Sequence, residues 1–292
     1  MKLSWFIKTI VLCLFCSVEL PSLAQGVIVY KKDGTQVDYP YASIDSIVTY
    51  LEKNEEPVEP QAGDKKVFTV NGCEFTMIFV KGGTFKMGSN IAGENASPIH
   101  NVTLSDYYIA ETEVTQELYY AVTGKAPSEF EGGTNLPVER VDRSECSSFV
   151  KKLNELTGEK FALPTEAQWE FAARGGTLSK GYLYSGGSAV TMVGWYKGNS
   201  DEKTHPVKQK LPNELGIYDM AGNVKEWCSD WFGDYSSKSV TNPTGPSKGS
   251  YGILRGGSWK QVEDFCTVSF REYNTPDLGY SIYGFRIVLK VN

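Results

Sequence analysis

Between residues 175 and 255 the chain has no sustained helical or strand-like hydrophobic repeat, and nothing else in it constrains the fold as much. Gly, Asn, Pro and Trp recur there instead. With 29 Gly, 17 Tyr and 14 Phe in 292 residues, the core has to be packed by rings and bent by tight turns. Long Leu-rich helices are not available to it. The length allows one large domain and one small one.

Regular structure is readable outside that stretch. Val27 to Tyr30 and Gln36 to Tyr41 read as strands around the Asp33-Gly34 turn, and Ile44 to Tyr50 as a third run. Residues 25–50 thus form a small β unit, of the kind that leads many exported bacterial proteins. Residues 51–63 are acidic, carry proline and read as a linker. The main domain runs over 64–292. It opens with strands at Lys66–Val70, Glu74–Val80, Thr84–Met87 and Val102–Ala110. Thr115 caps a short helix. Asp142 to Leu156 places Cys146, Phe149, Val150, Leu153 and Leu156 at helical spacing, and Gly158 stops that helix. Thr165 and Gln168 form a capping box at the start of another.

Residues 1–24 read as a secretory signal: Lys2 and Lys8, an apolar core from Ile10 to Val18, and small residues at Ser22-Leu23-Ala24. The apolar run is too short to span a bilayer, so no transmembrane segment is expected after cleavage. Phe15 ahead of Cys16 argues against a lipoprotein. The expected location is exported: periplasmic, extracellular or cell-surface. The formal charge is −6, and loss of Lys2, Lys8 and Glu19 leaves −7. No basic stripe is present, which speaks against nucleic acid and anionic membrane as partners. Cys73, Cys146, Cys228 and Cys266 remain in a compartment that permits disulfides, and the sequence leaves their pairing open. No two of them have CxxC spacing, which argues against a zinc site.

The ordered segments carry more than their parts. They are FVKGGTFKMGS (79–89), HNVTLSDYYIAETEVTQELY (100–119), ALPTEAQWEFAARGG (162–176), HPVKQKLPNELGIYDMAGNVKEWCSDWF (205–232), NPTGP (242–246), RGGSW (255–259) and YGFRIV (283–288). The series resembles the formylglycine-generating-enzyme (sulfatase-modifying-factor) superfamily across nearly all of 67–290. The resemblance implies an α+β fold, a much-elaborated relative of the C-type lectin-like fold with little regular secondary structure.

It also implies chemistry that can be checked residue by residue. Formylglycine generators hold Cu(I) on two thiolates, three and eight residues after the serine of GGS. Here that serine is Ser258, and the two positions hold Gln261 and Cys266. Counting back from Arg271, which resembles the family's downstream arginine, shifts the frame by about three residues. Either count leaves one thiol, so copper is not expected. Ser258, Cys266 and Arg271 stand as catalytic candidates, with a structural or paired Cys266 as the rival reading. An iron branch of the superfamily uses three histidines, whereas only His100 and His205 occur here. The family's calcium motif maps onto Asp219, Gly222, Val224 and Glu226, with carboxylates from the first and last and carbonyls from the middle two. Lys225 replaces a tryptophan of the family's substrate groove, while Trp227, Trp231 and Trp259 remain nearby in sequence. In the family the motifs holding Cys228 and Cys266 border one region, which implies a Cys228–Cys266 disulfide.

Three functions compete. The first is an exported binding or assembly module without formylglycine-generating activity, its partner an unidentified protein or surface ligand. The second is a sulfatase-modifying or other oxidative enzyme of the same superfamily with unassigned chemistry. The third, a carbohydrate- or surface-binding module, rests on fold analogy.

Overall fold

The computed structural model describes residues 26–30, 36–40 and 59–291, apart from residues 92 and 134. The expected signal, the third N-terminal run and most of the linker lie outside the described residues. The chain divides into two compact units between residues 58 and 59. That division precedes the boundary read from the sequence, because residues 61–64 already belong to the larger unit. Gly63 N donates to Phe79 O, Phe79 N donates to Asp64 O, and Ala62 packs against buried side chains.

In the small unit β1 (Gly26–Tyr30) pairs antiparallel with β2 (Gln36–Pro40), Gly26 opposite Pro40. In the large unit the elements run in chain order: β3 (Lys65–Val70), β4 (Cys73–Val80), β5 (Gly83–Met87), β6 (His100–Leu104), β7 (Tyr107–Ala110), α1 (Gln116–Thr123), α2 (Arg143–Thr157), β8 (Phe161–Ala162), α3 (Glu166–Ala173) and α4 (Val190–Val193). They continue as β9 (Lys225–Trp231), β10 (Val240–Thr241), β11 (Gly252–Arg255), β12 (Glu272–Asn274), β13 (Tyr283–Gly284) and β14 (Val288–Lys290). Three small sheets result, ordered β10-β6-β5, β12-β11-β9-β13 and β3-β4-β7-β14-β8. The class is α+β.

The helices stand where their sequence signals put them. Thr115 Oγ1 accepts from Leu118 N at 3.2 Å. Thr165 and Gln168 complete their reciprocal box, with bonds of 3.2 and 3.0 Å. Gly158 closes α2 in the left-handed region at φ 74°. One expected strand, Val102–Ala110, is two. Asp106 Oδ1 accepts from Gly82 N at 2.7 Å, and Ser105 N donates to Asn242 Oδ1 at 2.9 Å. These bonds turn the chain out of one sheet and into another.

Alternation along the five-stranded sheet separates two cores. Met77, Ala110, Ile287 and Leu289 face α1 and α2, where Tyr119 stacks on Phe149. Ile78, Tyr107, Ile109 and Val288 face α3 and its buried Trp169. The four-stranded sheet joins both cores. Trp227 and Leu254 pack into the first, and Cys228 and Ile253 into the second.

Candidate functional site

β9, β12 and the turn after β11 bring together the residues around Ser258. The turn needs glycine at position 257. Its φ is 71°, and a Cβ there would lie 2.7 Å from Cys266 Sγ and 2.8 Å from Phe265 O. The turn delivers Ser258, then Gln261, then a single 3₁₀ turn ending at Cys266. Lys225 rises from β9 and Glu272 from β12 to meet them.

A hydrogen-bonded chain crosses this site. Lys225 Nζ donates to Glu272 Oε1 at 2.8 Å, and Gln261 Nε2 donates to Glu272 Oε2 at 3.0 Å. Ser258 Oγ reaches Gln261 Oε1 at 3.4 Å. Lys225 is only 5% exposed and Ser258 is fully buried. The Lys225 ammonium also lies 5.5 Å from the Tyr283 ring centre. Gln261 therefore acts as an amide link between a half-buried ion pair and the GGS serine.

Cys266 stands beside this chain as a shielded thiol. It is fully buried. Burial pushes it up to about 12, against the Ser258 N–H, while the Glu272 charge adds to the rise and Lys225 opposes it. A thiol held there is protonated at neutral pH and is a poor ligand or nucleophile. Ser258 and Cys266 are thus neighbours, but Arg271 belongs elsewhere. Its guanidinium grips Glu166 at 2.6 and 2.8 Å and donates to Asn95 O and Gly233 O.

The disulfide expected from motif adjacency is not formed. Cys73, Cys146, Cys228 and Cys266 are all free and buried. Neighbouring motifs do not make neighbouring thiols here. Cys228 points from β9 into the core with Ile253, whereas Cys266 packs with Tyr184, Val190, Val193 and Ala221.

The calcium motif meets a competitor. Glu226 is fully buried, and Arg286 donates to both its oxygens, at 2.6 and 2.7 Å. Trp169 Nε1 adds a third bond at 2.6 Å. Asp219 Oδ2 accepts from Lys208 N at 2.8 Å, while Oδ1 is buried without a partner. Glu113, which the sequence reading passed over, binds Asn223 Nδ2 at 2.8 Å and Val224 N at 3.0 Å. Burial first, then the nearby Asp219 and Glu226 charges, lift Glu113 well above the usual carboxylate range. Asp219 offers a cation one free oxygen, but Glu226 is already neutralised by a guanidinium. As arranged, Asp219, Gly222, Val224 and Glu226 do not fit a calcium cage.

The remaining candidates divide. Trp227 is core, with Nε1 donating to Val141 O at 3.1 Å. Trp231 is covered on one side by Arg143, 4.4 Å from the ring centre. Trp259 borders the Ser258 site, and Phe130 meets its ring edge-on at 5.3 Å. His205 stacks on Trp195 at 3.8 Å and bonds Ser200 O, and His100 Nδ1 bonds Pro98 O. The Lys225–Glu272 pair was the main omission from the sequence reading. Lys225 in place of a family tryptophan was its only signal.

A sequence profile of the sulfatase-modifying factor enzyme 1-like domain matches residues 65–291. The serine/threonine-protein kinase pkn1 of Chlamydia caviae is 30% identical over 260 residues, 81% of this chain. The chain spans only 40% of that kinase's length. The formylglycine-generating enzyme of Streptomyces coelicolor is 35% identical over 180 residues, 55% of each chain. Among solved structures, Treponema denticola variable protein 1 superposes with a TM-score of 0.73 at 35% identity, covering 78% of this chain and 99% of that one.

Proposed function

Since this chain belongs to the sulfatase-modifying factor enzyme 1-like family, we propose that it is an exported binding or assembly module on that scaffold and not a formylglycine generator. The observation that carries this reading is the Lys225–Glu272–Gln261–Ser258 chain. It fills the place where a bis-thiolate metal centre would need a second cysteine. The remaining thiol is buried and held protonated. A soft Cu(I) ion therefore has no ligand pair to bind.

The surface around this site suits contact with a partner. Tyr280 is 48% exposed and meets the Tyr283 ring edge-on at 5.2 Å, next to Lys225. Tyrosine offers a large apolar ring with a polar tip and loses little side-chain entropy on ordering, which favours it at interfaces. The partner is a protein or a surface ligand outside the cell.

The test is direct. The protein is loaded with copper under reducing conditions and given a peptide carrying a sulfatase-type cysteine motif. Mass spectrometry is expected to find the cysteine unchanged. Conversion to formylglycine at enzyme-like rates overturns the reading.

A further inference from the structure

A cavity of about 280 Å³ lies between the end of β9, the loop after it and the start of α3. Asp230, Trp231, Tyr235, His100, Gly245 and Arg271 line it. Asp230 is 4% exposed, and its Oδ2 accepts from Glu166 N at 3.0 Å and Ser229 Oγ at 3.1 Å. Among the described residues Oδ1 receives no hydrogen bond. Space is kept against that oxygen, since a Cβ on Gly245 would lie 3.1 Å from it.

The charge pattern here is incomplete. Glu111, Glu166, Glu170 and Glu226 are buried, and each has a lysine or arginine within 4.0 Å. Among the described residues Asp230 has none, like the buried Glu113, Glu139 and Asp219, and of these four acids it is the one that lines this cavity. Burial, and then the charge of Glu166, push its carboxyl up to about 7, against the Glu166 N–H, the Ser229 hydroxyl and the more distant Arg143 charge. His100 donates from Nδ1 to Pro98 O at 3.1 Å, which leaves Nε2 as an acceptor.

These groups select among ligand classes. An anion needs several donors, but four of the five Arg271 N–H groups are committed to Glu166 and to two backbone carbonyls. A sugar needs an open ring face, but Arg271 stands 3.8 Å from the Tyr235 ring centre and the His100 ring 4.7 Å from it. A primary ammonium brings three N–H donors and one positive charge. It meets the Asp230 carboxylate and His100 Nε2, and supplies Asp230 with a counter-ion. We propose that this cavity binds a primary ammonium group on a short aliphatic stem, with Asp230 as its ion-pair partner. A lysine side chain and a free alkylamine share that chemistry. The site is separate from the Ser258 face and does not depend on the binding function argued for it.

Isothermal titration of the full chain with n-butylammonium tests the proposal, with n-butanol as the uncharged control. Nα-acetyl-lysine amide forms a second arm that separates a side-chain source from a free amine. Butylammonium is expected to bind and butanol not. Asp230→Asn is expected to weaken the amine by at least about tenfold, or about 1.4 kcal/mol. If that variant lacks a cooperative melt, His100→Phe replaces it, with a loss of about threefold or more expected for one hydrogen bond. No binding by the wild type at millimolar amine, equal binding of butanol, or unchanged affinity in the folded variant overturns the proposal.

Discussion

Replacing Glu139 by glutamine tests how this fold tolerates an uncompensated buried acid. Glu139 is fully buried between α1 and α2. Its Oε1 accepts from Phe130 N at 2.9 Å, and its Oε2 is buried with no partner. Burial pushes the carboxyl from 4.5 up to about 7, outweighing the Phe130 and Glu129 N–H groups. Between those values the folded protein holds a proton that the unfolded chain has released. Stability therefore falls as pH rises through that window, and is flat above about pH 7. The rise of about 2.5 units corresponds to about 3 kcal/mol, at 1.36 kcal/mol per unit. Glutamine is nearly isosteric, keeps an oxygen for Phe130 N and never ionises. Urea unfolding of both proteins, at pH values from about 4 to about 8, measures the difference while other titrations cancel. Glu139→Gln is expected to match the wild type at the acid end. At the alkaline end it is expected to exceed the wild type by up to about 3 kcal/mol. A difference that does not change with pH, or that favours glutamate at the alkaline end, refutes the argument.

Three further outcomes follow from the buried groups. Arg286→Met strips Glu226 of its counter-charge and is expected to cost about 3–5 kcal/mol in a urea melt; a loss below about 1 kcal/mol would mean that the pair carries little. Calcium and chelator are expected to leave the melting temperature unchanged, because Arg286 holds Glu226. A calcium-dependent rise that Asp219→Asn abolishes would instead show that the free Asp219 oxygen recruits the ion. Cys73, Cys146, Cys228 and Cys266 are expected to resist alkylation when native and to react fully in denaturant; a Cys228–Cys266 link in a non-reducing peptide map would contradict their separation.

What could be read in the sequence was local. Thr115, Thr165 with Gln168, and Gly158 each act within one helical turn, and each stands where it was expected. The family motifs placed Ser258 beside Cys266 for the same reason, since the Gly256-Gly257 turn is continuous with both. Arg271 failed as a member of that site because its partner, Glu166, is 105 residues away in sequence. Glu113 and Glu272 failed likewise. An isolated acid in a loop-rich sequence looks like a solvated charge, and only the partners distant in sequence, Asn223 and Lys225, reveal that Glu113 and Glu272 are held inside the fold's bonding network.

Those long-range partners also explain how so irregular a chain holds one shape. A loop carbonyl removed from water needs a donor, and here few ladders are long enough to supply one. Arginine supplies several from one rigid fork. Arg255 donates to the carbonyls of Val268, Ser269 and Phe270 while paired with Glu170 at 2.6 Å. Arg271 ties Asn95 and Gly233, and Arg286 ties Ala110 and Tyr218. Each guanidinium is neutralised by a buried glutamate, so its desolvation is offset where the loops are joined. The Lys225–Glu272–Gln261–Ser258 chain shares none of these arginines. Residues at that face are therefore free to change without unfastening the loops that present them.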